Sequence, residues 1–284
     1  MRIHHLNCIS SCPLGGALMD GHTRGLRGRL TCHCVLVECA DQLVLIDTGY
    51  GLRDVENPPS RISRFFLTLL APDFREELTA VRQIERLGFD ARDVRHIVLT
   101  HLDFDHAGGL DDFPHARVHM MATERDDARA QRSLLDRMRY RPQQWSTSRN
   151  WHGYSQAVGD RWYGFECVRG LAGVPPEILL IPLPGHTLGH AGIAVERTAG
   201  YWHLQTGDAY FYHGEMDLQH PHCTPGLRFY QWMMEKDRSA RLRNQARLRE
   251  LKQTHGKAVK VYSSHDVLEF ENISRHPLDE PAHA

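Results

Sequence analysis

Residues 98–110, VLTHLDFDHAGGL, constrain the fold more than any other stretch of the sequence. An apolar run, HIVL, leads into two histidines and two aspartates within six residues, and two glycines follow. Such groups are costly to bury at a strand end unless something positive joins them. A metal ion does this, and mixed imidazole and carboxylate donors suit Zn, Fe, Mn or Co. The alternative is a solvated surface loop, which the apolar strand before the motif disfavours.

The spacing within this motif predicts convergence if the strand continues through it. Side chains two residues apart share one face of a strand, so His101, Asp103 and Asp105 are expected to point the same way. A turn at Asp105 and His106 would direct the second histidine into the same space. The glycine pair that follows permits a tight backbone bend behind this turn.

Three later apolar segments also end in residue types that bind metals. IPLPGHTLGH carries His186 after a Pro-Gly turn, LQTGDAYFY carries Asp208, and VYSSHD carries His265. Each residue follows the carboxyl end of a segment that reads as a strand. The repeated position predicts that several strand ends meet at one metal centre.

Composition excludes several other classes of protein. The chain has 284 residues and is 41% hydrophobic, which is enough for a sizeable core. Charges almost balance, with 34 Lys and Arg against 35 Asp and Glu, so nothing global indicates nucleic acid or anionic membranes. No run is long enough to span a membrane, and the N-terminus lacks the apolar segment of a signal peptide.

The seven cysteines are odd in number and irregularly spaced, which is typical of reduced thiols in a cytoplasmic protein. Cys32 and Cys34 could suggest a metal site, but two thiols on one face of a strand is the simpler interpretation. No repeat and no flexible linker divides residues 1–284, so a single domain is expected.

The hydrophobic periodicity predicts two sheets, one from each half of the chain, with helices outside. A hairpin is expected in HCVLVECADQLVLIDTG, with its turn at residues 40–42, and a helix in FREELTAVRQIERLGFD, ended by Gly88. An arginine-rich amphipathic helix is expected at about residues 228–254. Further strands are predicted in DVRHIVLT, ARVHMMA, RWYGFECV, EILLIPLP, AGIAVE, YWHLQTGD and AVKVYSSHD.

As a set, the motifs DTG, THLDFDHAGG, PGHTLGH, GDA and SSHD resemble those of the metallo-β-lactamase-fold hydrolases, in that family's order. The resemblance covers most of the chain. It implies an α/β fold, an αβ/βα sandwich of two mixed β-sheets flanked by helices, with two divalent metal ions at one edge. It also implies a hydrolase that attacks its substrate with a hydroxide shared by the two metals.

The resemblance implies a role for each motif residue. One metal would bind His101, Asp103 and His186, the other would bind Asp105, His106 and His265, and Asp208 would bridge them. Asp47 would help to orient the ligands, and His190 would be a support rather than a ligand.

The family's usual motif, His-x-His-x-Asp-His, has a histidine where this chain has Asp103. Zinc is the expected metal at both positions. The carboxylate keeps Fe or Mn open at the first position and leaves open whether Asp103 binds the metal directly.

Among compact family members, the layout is most similar to that of the N-acyl-homoserine-lactone lactonases, the quorum-quenching enzymes. A lactone or small ester is therefore the expected small-molecule substrate, with Asp105 passing on the proton. In lactonases a tyrosine after the bridging aspartate helps to hold the carbonyl. Here Phe211 stands at that position, and Tyr210 or Tyr212, which flank it, is expected to act as a catalytic residue that stabilises the oxyanion. Thioester or phosphoester hydrolysis, iron-dependent redox chemistry and a non-catalytic regulator remain alternatives.

Two segments have no assigned role. Residues 61–72, RISRFFLTLLAP, could form a lid over an acyl chain, a core helix or a contact in a homodimer. Trp145, Trp151, Tyr154 and Trp162 could line the mouth of a pocket, although aromatic residues more often pack in the core.

Overall fold

The computed structural model describes residues 1–40, 42–146 and 150–275, and its strands form two six-stranded sheets. In the first sheet β1, β2 and β3 pair antiparallel, and β3 to β6 pair parallel. The strands of the first sheet are, in order, β1 (Arg2–Asn7), β2 (His33–Cys39), β3 (Gln42–Ile46), β4 (Val94–Val98), β5 (Arg117–Met121) and β6 (Trp151–Tyr154).

The second sheet comes from the other half of the chain. Its strands pair antiparallel from β7 to β11, and β12 adds in parallel beside β11. They are β7 (Asp160–Trp162), β8 (Phe165–Gly170), β9 (Ile178–Pro182), β10 (Ala191–Thr198), β11 (Tyr201–Gln205) and β12 (Val259–Tyr262).

Helices cover the outer faces of both sheets and connect the strands. Short 3-10 turns lie at Glu76–Leu78, Ala91–Asp93, Gly108–Asp112 and His213–Met216. The helices are α1 (Ala17–Asp20), α2 (Leu52–Glu56), α3 (Pro58–Arg61), α4 (Arg64–Leu70), α5 (Ala80–Arg86), α6 (Phe104–Ala107), α7 (Ala122–Ala130), α8 (Leu134–Arg139), α9 (Pro142–Trp145), α10 (Pro225–Met234), α11 (Arg238–His255) and α12 (Val267–Arg275).

Alternation along the strands creates separate layers of core. In β2, Val35 and Val37 pack with β9 and β10 of the second sheet, whereas Leu36 packs on the opposite face with the α5 residue Ile84. On the far side of the second sheet, Leu248 of α11 belongs to a third cluster. The order of layers is helix, sheet, sheet, helix, which confirms the predicted αβ/βα sandwich.

Several predicted elements differ in detail. RWYGFECV forms two strands, β7 and β8, because Tyr163 and Gly164 adopt positive φ angles of 44° and 82° and reverse the chain. The predicted helix at 228–254 is two helices, α10 and α11, and the side chain of Asp237 caps the second by accepting from the N–H of Ala240 at 2.9 Å. The hairpin between β2 and β3 is confirmed, although Asp41 in its turn lies outside the described residues.

The two unassigned segments pack in the core. Within residues 61–72, α4 buries Phe66 against the ring of Phe104, with a centroid distance of 4.7 Å. The four aromatic residues that could have lined a pocket mouth pack at three different core clusters. Trp145 belongs to one, with the partly buried Trp151 packed against it, Tyr154 belongs to another and Trp162 to a third. No helix among the described residues is long and apolar enough to cross a membrane.

Candidate metal centre

The motif after β4 does not continue as a strand. β4 ends at Val98, and Asp103 precedes the short helix α6, which contains Asp105 and His106 in its first turn. The prediction that alternation along a strand aligns these side chains is therefore wrong. They converge because a loop followed by a helical turn brings residues of unequal spacing to the same end of the sheet.

The structure gathers the seven predicted ligand residues into two adjacent groups, and all seven are buried. Within each group, one donor atom per residue lies within 4.8 Å of all the others. The first donor group is His101, Asp103, His186 and Asp208, and the second donor group is Asp105, His106 and His265.

Asp208 stands between the two donor groups. Its Oδ2 lies 3.3 Å from Nε2 of His186, in the first group. Its Oδ1 lies 3.1 Å from Nε2 of His265 and 3.2 Å from Nε2 of His106, in the second group. Nε2 of His265 also lies 3.3 Å from Oδ2, so the Asp208 carboxylate contacts histidines of both donor groups, as a bridging carboxylate would.

Hydrogen bonds on the far side of the rings hold three of the histidines with Nε2 toward the centre. Nδ1 of His265 lies 2.6 Å from the carbonyl oxygen of Thr31, and Nδ1 of His106 lies 2.8 Å from Oδ2 of Asp47. Nδ1 of His101 lies 2.9 Å from Oγ1 of Thr100. Because these partners accept, each Nδ1 carries the proton and each Nε2 keeps a free lone pair.

Asp47 organises the segment that follows β4. Its Oδ1 accepts from the N–H of Thr100 at 2.8 Å, and its Oδ2 accepts from the hydroxyl of the same residue at 2.8 Å. Asp47 itself has a φ of +52°, a left-handed conformation that is unfavourable for a residue with a Cβ. The Asp-Thr-Gly motif therefore supplies a buried carboxylate that fixes His106.

His190 supports Asp208 from behind. Its Nδ1 donates to the carbonyl of Leu183 at 2.9 Å, and its Nε2 accepts the N–H of Asp208 at 2.9 Å. Gly207 has a φ of +55°, and a Cβ at this position would lie 2.6 Å from Nε2 of His190. The glycine thus allows the backbone to approach the histidine that holds Asp208.

Sequence reasoning missed Arg139, which is fully buried beside the first donor group. Its Nε donates to Oδ1 of Asp103 at 2.7 Å, and its Nη2 donates to Oδ2 at 2.5 Å. A backbone bridge between Asp103 and Tyr140 brings the end of α8 to this point. The only signal in the sequence was a basic stretch, RMRYR, in a region without clear periodicity.

Charge within the centre shifts several pKa values. Burial raises the pKa of Asp103, but the guanidinium of Arg139 opposes this so strongly that the net pKa is well below its usual value. Burial raises the pKa of Asp105, and the nearby Asp208 carboxylate adds to the rise. Burial lowers the pKa of His106, but the carboxylates of Asp208 and Asp47 raise it by more than burial lowers it, so the net pKa is well above its usual value.

The donor atoms fit two divalent cations. Nε2 of His101 and Oδ1 of Asp208 are buried, and neither has a hydrogen-bond partner among the described residues. Polar atoms without partners are costly to bury, and one cation in each donor group would satisfy these two atoms. Imidazole and carboxylate donors in this number suit Zn and other divalent transition metals. The structure therefore contains two candidate metal sites.

A cavity adjoins His265 on the outer side of the centre. Phe211 lies over His265, with ring centroids 4.8 Å apart and planes 16° apart, and forms one wall. Tyr212 also lines the cavity, whereas the hydroxyl of Tyr210 is turned away and donates to Glu269 at 2.9 Å. The remaining lining mixes polar and apolar side chains: Asp20, His22, Arg29, Leu30, Leu227, Asp266, Val267 and Leu268.

Tyr230 is a second residue that sequence reasoning missed. Its ring meets Phe211 edge-on at 5.6 Å, from helix α10. Burial raises its pKa well above the usual value, and the carboxylates of Asp105 and Asp103 raise it further. Its hydroxyl therefore experiences the negative charge of the centre, although no motif in the sequence distinguished this tyrosine.

Comparison with known proteins agrees with this geometry. The profile of the metallo-beta-lactamase superfamily matches residues 27–246. The chain belongs to this superfamily. A probable metallo-hydrolase of Mycobacterium tuberculosis is 39% identical to it over 273 residues, which are 94% of this chain and 80% of the relative. The match supports a metal-dependent hydrolase as the general class of this superfamily member.

Relatives with a named substrate are more distant. An N-acyl homoserine lactonase of Bacillus thuringiensis is 27% identical over 203 residues, covering 69% of this chain and 73% of the relative. A solved structure of an N-acyl homoserine lactone hydrolase, with N-hexanoyl-L-homoserine bound at its catalytic metal center, superimposes with a TM-score of 0.71. It covers 95% of both chains at 22% sequence identity, a likeness that shows the shared metallo-β-lactamase fold.

Proposed function

We propose that this superfamily member is a dinuclear metallo-hydrolase that opens a lactone or another small carboxylic ester. The position of Asp208 carries the proposal, because its Oδ2 faces His186 at 3.3 Å and its Oδ1 faces His265 at 3.1 Å. His101, Asp103 and His186 would hold one cation and Asp105, His106 and His265 the other, with Asp208 bridging. When bound, the two ions would supply Lewis acidity and a nucleophilic hydroxide near neutral pH.

Asp105 has two roles in this proposal. Its Oδ2 lies 3.8 Å from Nε2 of His265, within the second donor group. Asp105 would bind the cation as a carboxylate. It would also accept a proton from the attacking water and pass it to the oxygen that leaves the ester.

The lining of the cavity favours a substrate with one polar and one apolar end. Leu30, Phe211 and Leu227 are its apolar residues, and Tyr212 and Arg29 add hydrogen-bond donors. The cavity has space for about one water molecule, so an acyl chain would have to move these side chains apart. An N-acyl-homoserine lactone has this character, and the lactonase relative adds support for it as first choice. Phe211 would exclude water from the His265 side by its stacking.

Metal analysis followed by an acid-release assay tests the proposal. Opening a lactone releases one acid, so a pH-sensitive dye follows the reaction across homoserine lactones of increasing acyl length. Protein loaded with about two equivalents of Zn should open them, and Asp105→Asn should lose activity. Asp126→Asn, which changes an exposed carboxylate on α7, should keep it. If loaded protein opens no lactone or ester, the substrate assignment is wrong.

The same panel separates the other chemistries. Cleavage of a thioester or a phosphoester in place of the lactone would keep the hydrolase and change the substrate. Iron with redox activity, and no hydrolysis of any ester, would favour the redox alternative that the Asp103 carboxylate raised. Zinc at both positions is part of the proposal, as is a cytoplasmic location, which agrees with the seven free thiols.

A further inference from the structure

Arg139 is a buried cation whose position is fixed on three sides. Its Nε and Nη2 form a fork on the two oxygens of Asp103, at 2.7 and 2.5 Å. Its Nη1 donates to the carbonyl of Met234 at 2.5 Å. None of the side chain is exposed to solvent. Charge-assisted, bidentate hydrogen bonds of this kind are among the strongest in proteins, so the guanidinium neutralises Asp103.

One nitrogen of this fork also faces the first donor group. Nη2 of Arg139 lies 2.9 Å from Nε2 of His186. Oδ2 of Asp103 lies 2.9 Å from the same histidine nitrogen and 3.4 Å from Nε2 of His101. Nε2 of His186 either accepts from Nη2 of Arg139 or donates its own N–H to Asp103, according to the tautomer. In both cases a metal that binds Nε2 must replace that hydrogen bond.

The second donor group has a different environment. Among the described residues, the hydrogen-bond and ion-pair partners of Asp105, His106 and His265 include no guanidinium or ammonium group. The guanidinium of Arg139 therefore distinguishes the two donor groups, because it contacts only the first.

We propose that Arg139 competes with the metal ion for the first donor group. A buried Asp103 needs a positive partner, and a guanidinium keeps its charge at any physiological pH. A divalent cation bound by His101, Asp103 and His186 must displace Nη2 from His186 and must bind beside a positive charge, which weakens its binding. The second group therefore fills first and holds its metal more tightly. The inference rests on the metal assignment in the proposed function.

Metal titration of the apoprotein tests this directly. Protein stripped with a chelator is titrated with Zn²⁺ against a chromophoric competitor, and Co²⁺ absorption spectra follow the two sites separately. The wild type should show two dissociation constants that differ by about tenfold or more, the range that neighbouring groups impose on metal affinity. Equal constants, or the absence of metal binding, would overturn the inference.

Arg139→Gln removes the charge and should tighten the weaker constant by about tenfold, with the tighter one unchanged. Arg139→Lys keeps a charge beside Asp103 and should leave the first site weak. Arg241→Gln is the matched control, because Arg241 is also buried and paired, with Glu235 at 2.6 Å, but contacts no residue of either donor group. It should change neither constant.

If Arg139 instead holds Asp103 in place as a ligand, Arg139→Gln will weaken the first site, and the inference fails. If the apo form of Arg139→Gln is unfolded, refolding on metal addition becomes the measurement. Recovery at two equivalents supports the competition, since the metal replaces the lost counter-ion, and persistence of the unfolded state at saturating metal contradicts it. If the wild type shows two separable dissociation constants for zinc but opens no ester, the proposed substrate is wrong and this inference stands.

Discussion

Glu124 and Thr187 connect two parts of the candidate metal centre: the hydroxyl of Thr187 donates to Oε2 of Glu124 at 2.5 Å. The other carboxylate oxygen accepts from the N–H of Leu102 at 2.9 Å. Leu102 lies between His101 and Asp103 in the sequence, and Thr187 follows His186. The buried carboxylate of Glu124, at the start of α7, therefore fixes the segments that carry three of the four residues of the first donor group.

Replacing Glu124 with Gln should loosen both segments. One edge of the amide can only donate, so at least one buried donor loses its acceptor, at a cost of about 1–3 kcal/mol. We expect the urea-unfolding free energy to fall by that amount and the metal affinity to fall about tenfold. Glu250→Gln, at an exposed position on α11, should leave both unchanged. If Glu124→Gln binds metal as tightly as the wild type does, the two segments keep their positions without the Glu124 carboxylate.

The sequence predicted the centre best where a ligand residue follows an apolar strand. His186, Asp208 and His265 each come a few residues after β9, β11 and β12, and strand ends at one edge of a sandwich must lie near each other. The orienting role of Asp47 and the bridging role of Asp208 came from the family resemblance of the DTG and GDA motifs and stay predictions. The sheet accounts for the position of these residues, and not for their roles.

Arg139 and Tyr230 could not be predicted in this way. Arg139 is 36 residues away from its partner Asp103 in the sequence, in a segment without periodicity. A charged residue normally predicts a solvated surface, and only tertiary packing makes this one fully buried. Tyr230 lies on a helix whose apolar stripe explains the residue equally well as core. The convergence of residues 101–106 was predicted for the wrong reason, because periodicity cannot show where β4 ends.

Asp47 should matter more for the second donor group than for the first. Its Oδ2 lies 2.8 Å from Nδ1 of His106 and fixes the tautomer that leaves Nε2 free. In Asp47→Asn the amide group can face that N–H with a donor, so we expect the second-site metal affinity to fall about 10- to 100-fold. Elemental analysis after dialysis measures this. An equal loss at both sites would mean that Asp47 acts on the whole loop.

Two glycines with similar backbones separate strain from crowding. Gly207 and Gly200 both have positive φ, at 55° and 79°, but only Gly207 has a neighbour, Nε2 of His190, within 2.6 Å of the added Cβ. Gly200→Ala should cost about 1 kcal/mol, the penalty of the left-handed conformation. Gly207→Ala should cost more and should also reduce metal content, because His190 no longer holds Asp208. Equal effects of the two variants on unfolding and metal content would contradict this.

His119 should make the fold sensitive to acid. Burial and, to a smaller extent, the neighbouring His96, His152 and Arg117 together lower its pKa to about 3. It hydrogen-bonds His96 and the hydroxyl of Tyr154, both at 2.8 Å. Between pH 6.5 and 3 the unfolded chain binds a proton here that the folded chain does not, so stability falls as the pH falls through this range.

The size of that effect can be isolated by substitution. From pH 7.5 to 5.5, one such histidine removes about 1.4 kcal/mol of unfolding free energy. The wild type should therefore lose about that much more than His119→Gln over the same interval, as measured by urea unfolding of the metal-free protein. His115→Gln, at an exposed position, should behave as the wild type does. A His119→Gln variant with unchanged pH dependence would rule out this residue as the cause.

Three tyrosines near the centre should respond differently to loss of their hydroxyls. Tyr230→Phe removes a buried hydroxyl whose pKa is raised by burial and by the carboxylates of Asp105 and Asp103. We expect kcat/KM for the ester to fall about 100- to 1000-fold with metal content unchanged, as for removal of one positioned donor. Tyr212→Phe, at the cavity lining, should mainly raise KM. Tyr210→Phe should cost about 1–3 kcal/mol of stability, because the buried Glu269 loses one of its donors, the hydroxyl at 2.9 Å, and keeps the N–H of Ser263. It should leave kcat/KM near the wild-type value. Steady-state kinetics and thermal melting of the three variants distinguish these roles, and the largest kinetic loss in Tyr210→Phe would reverse the assignment.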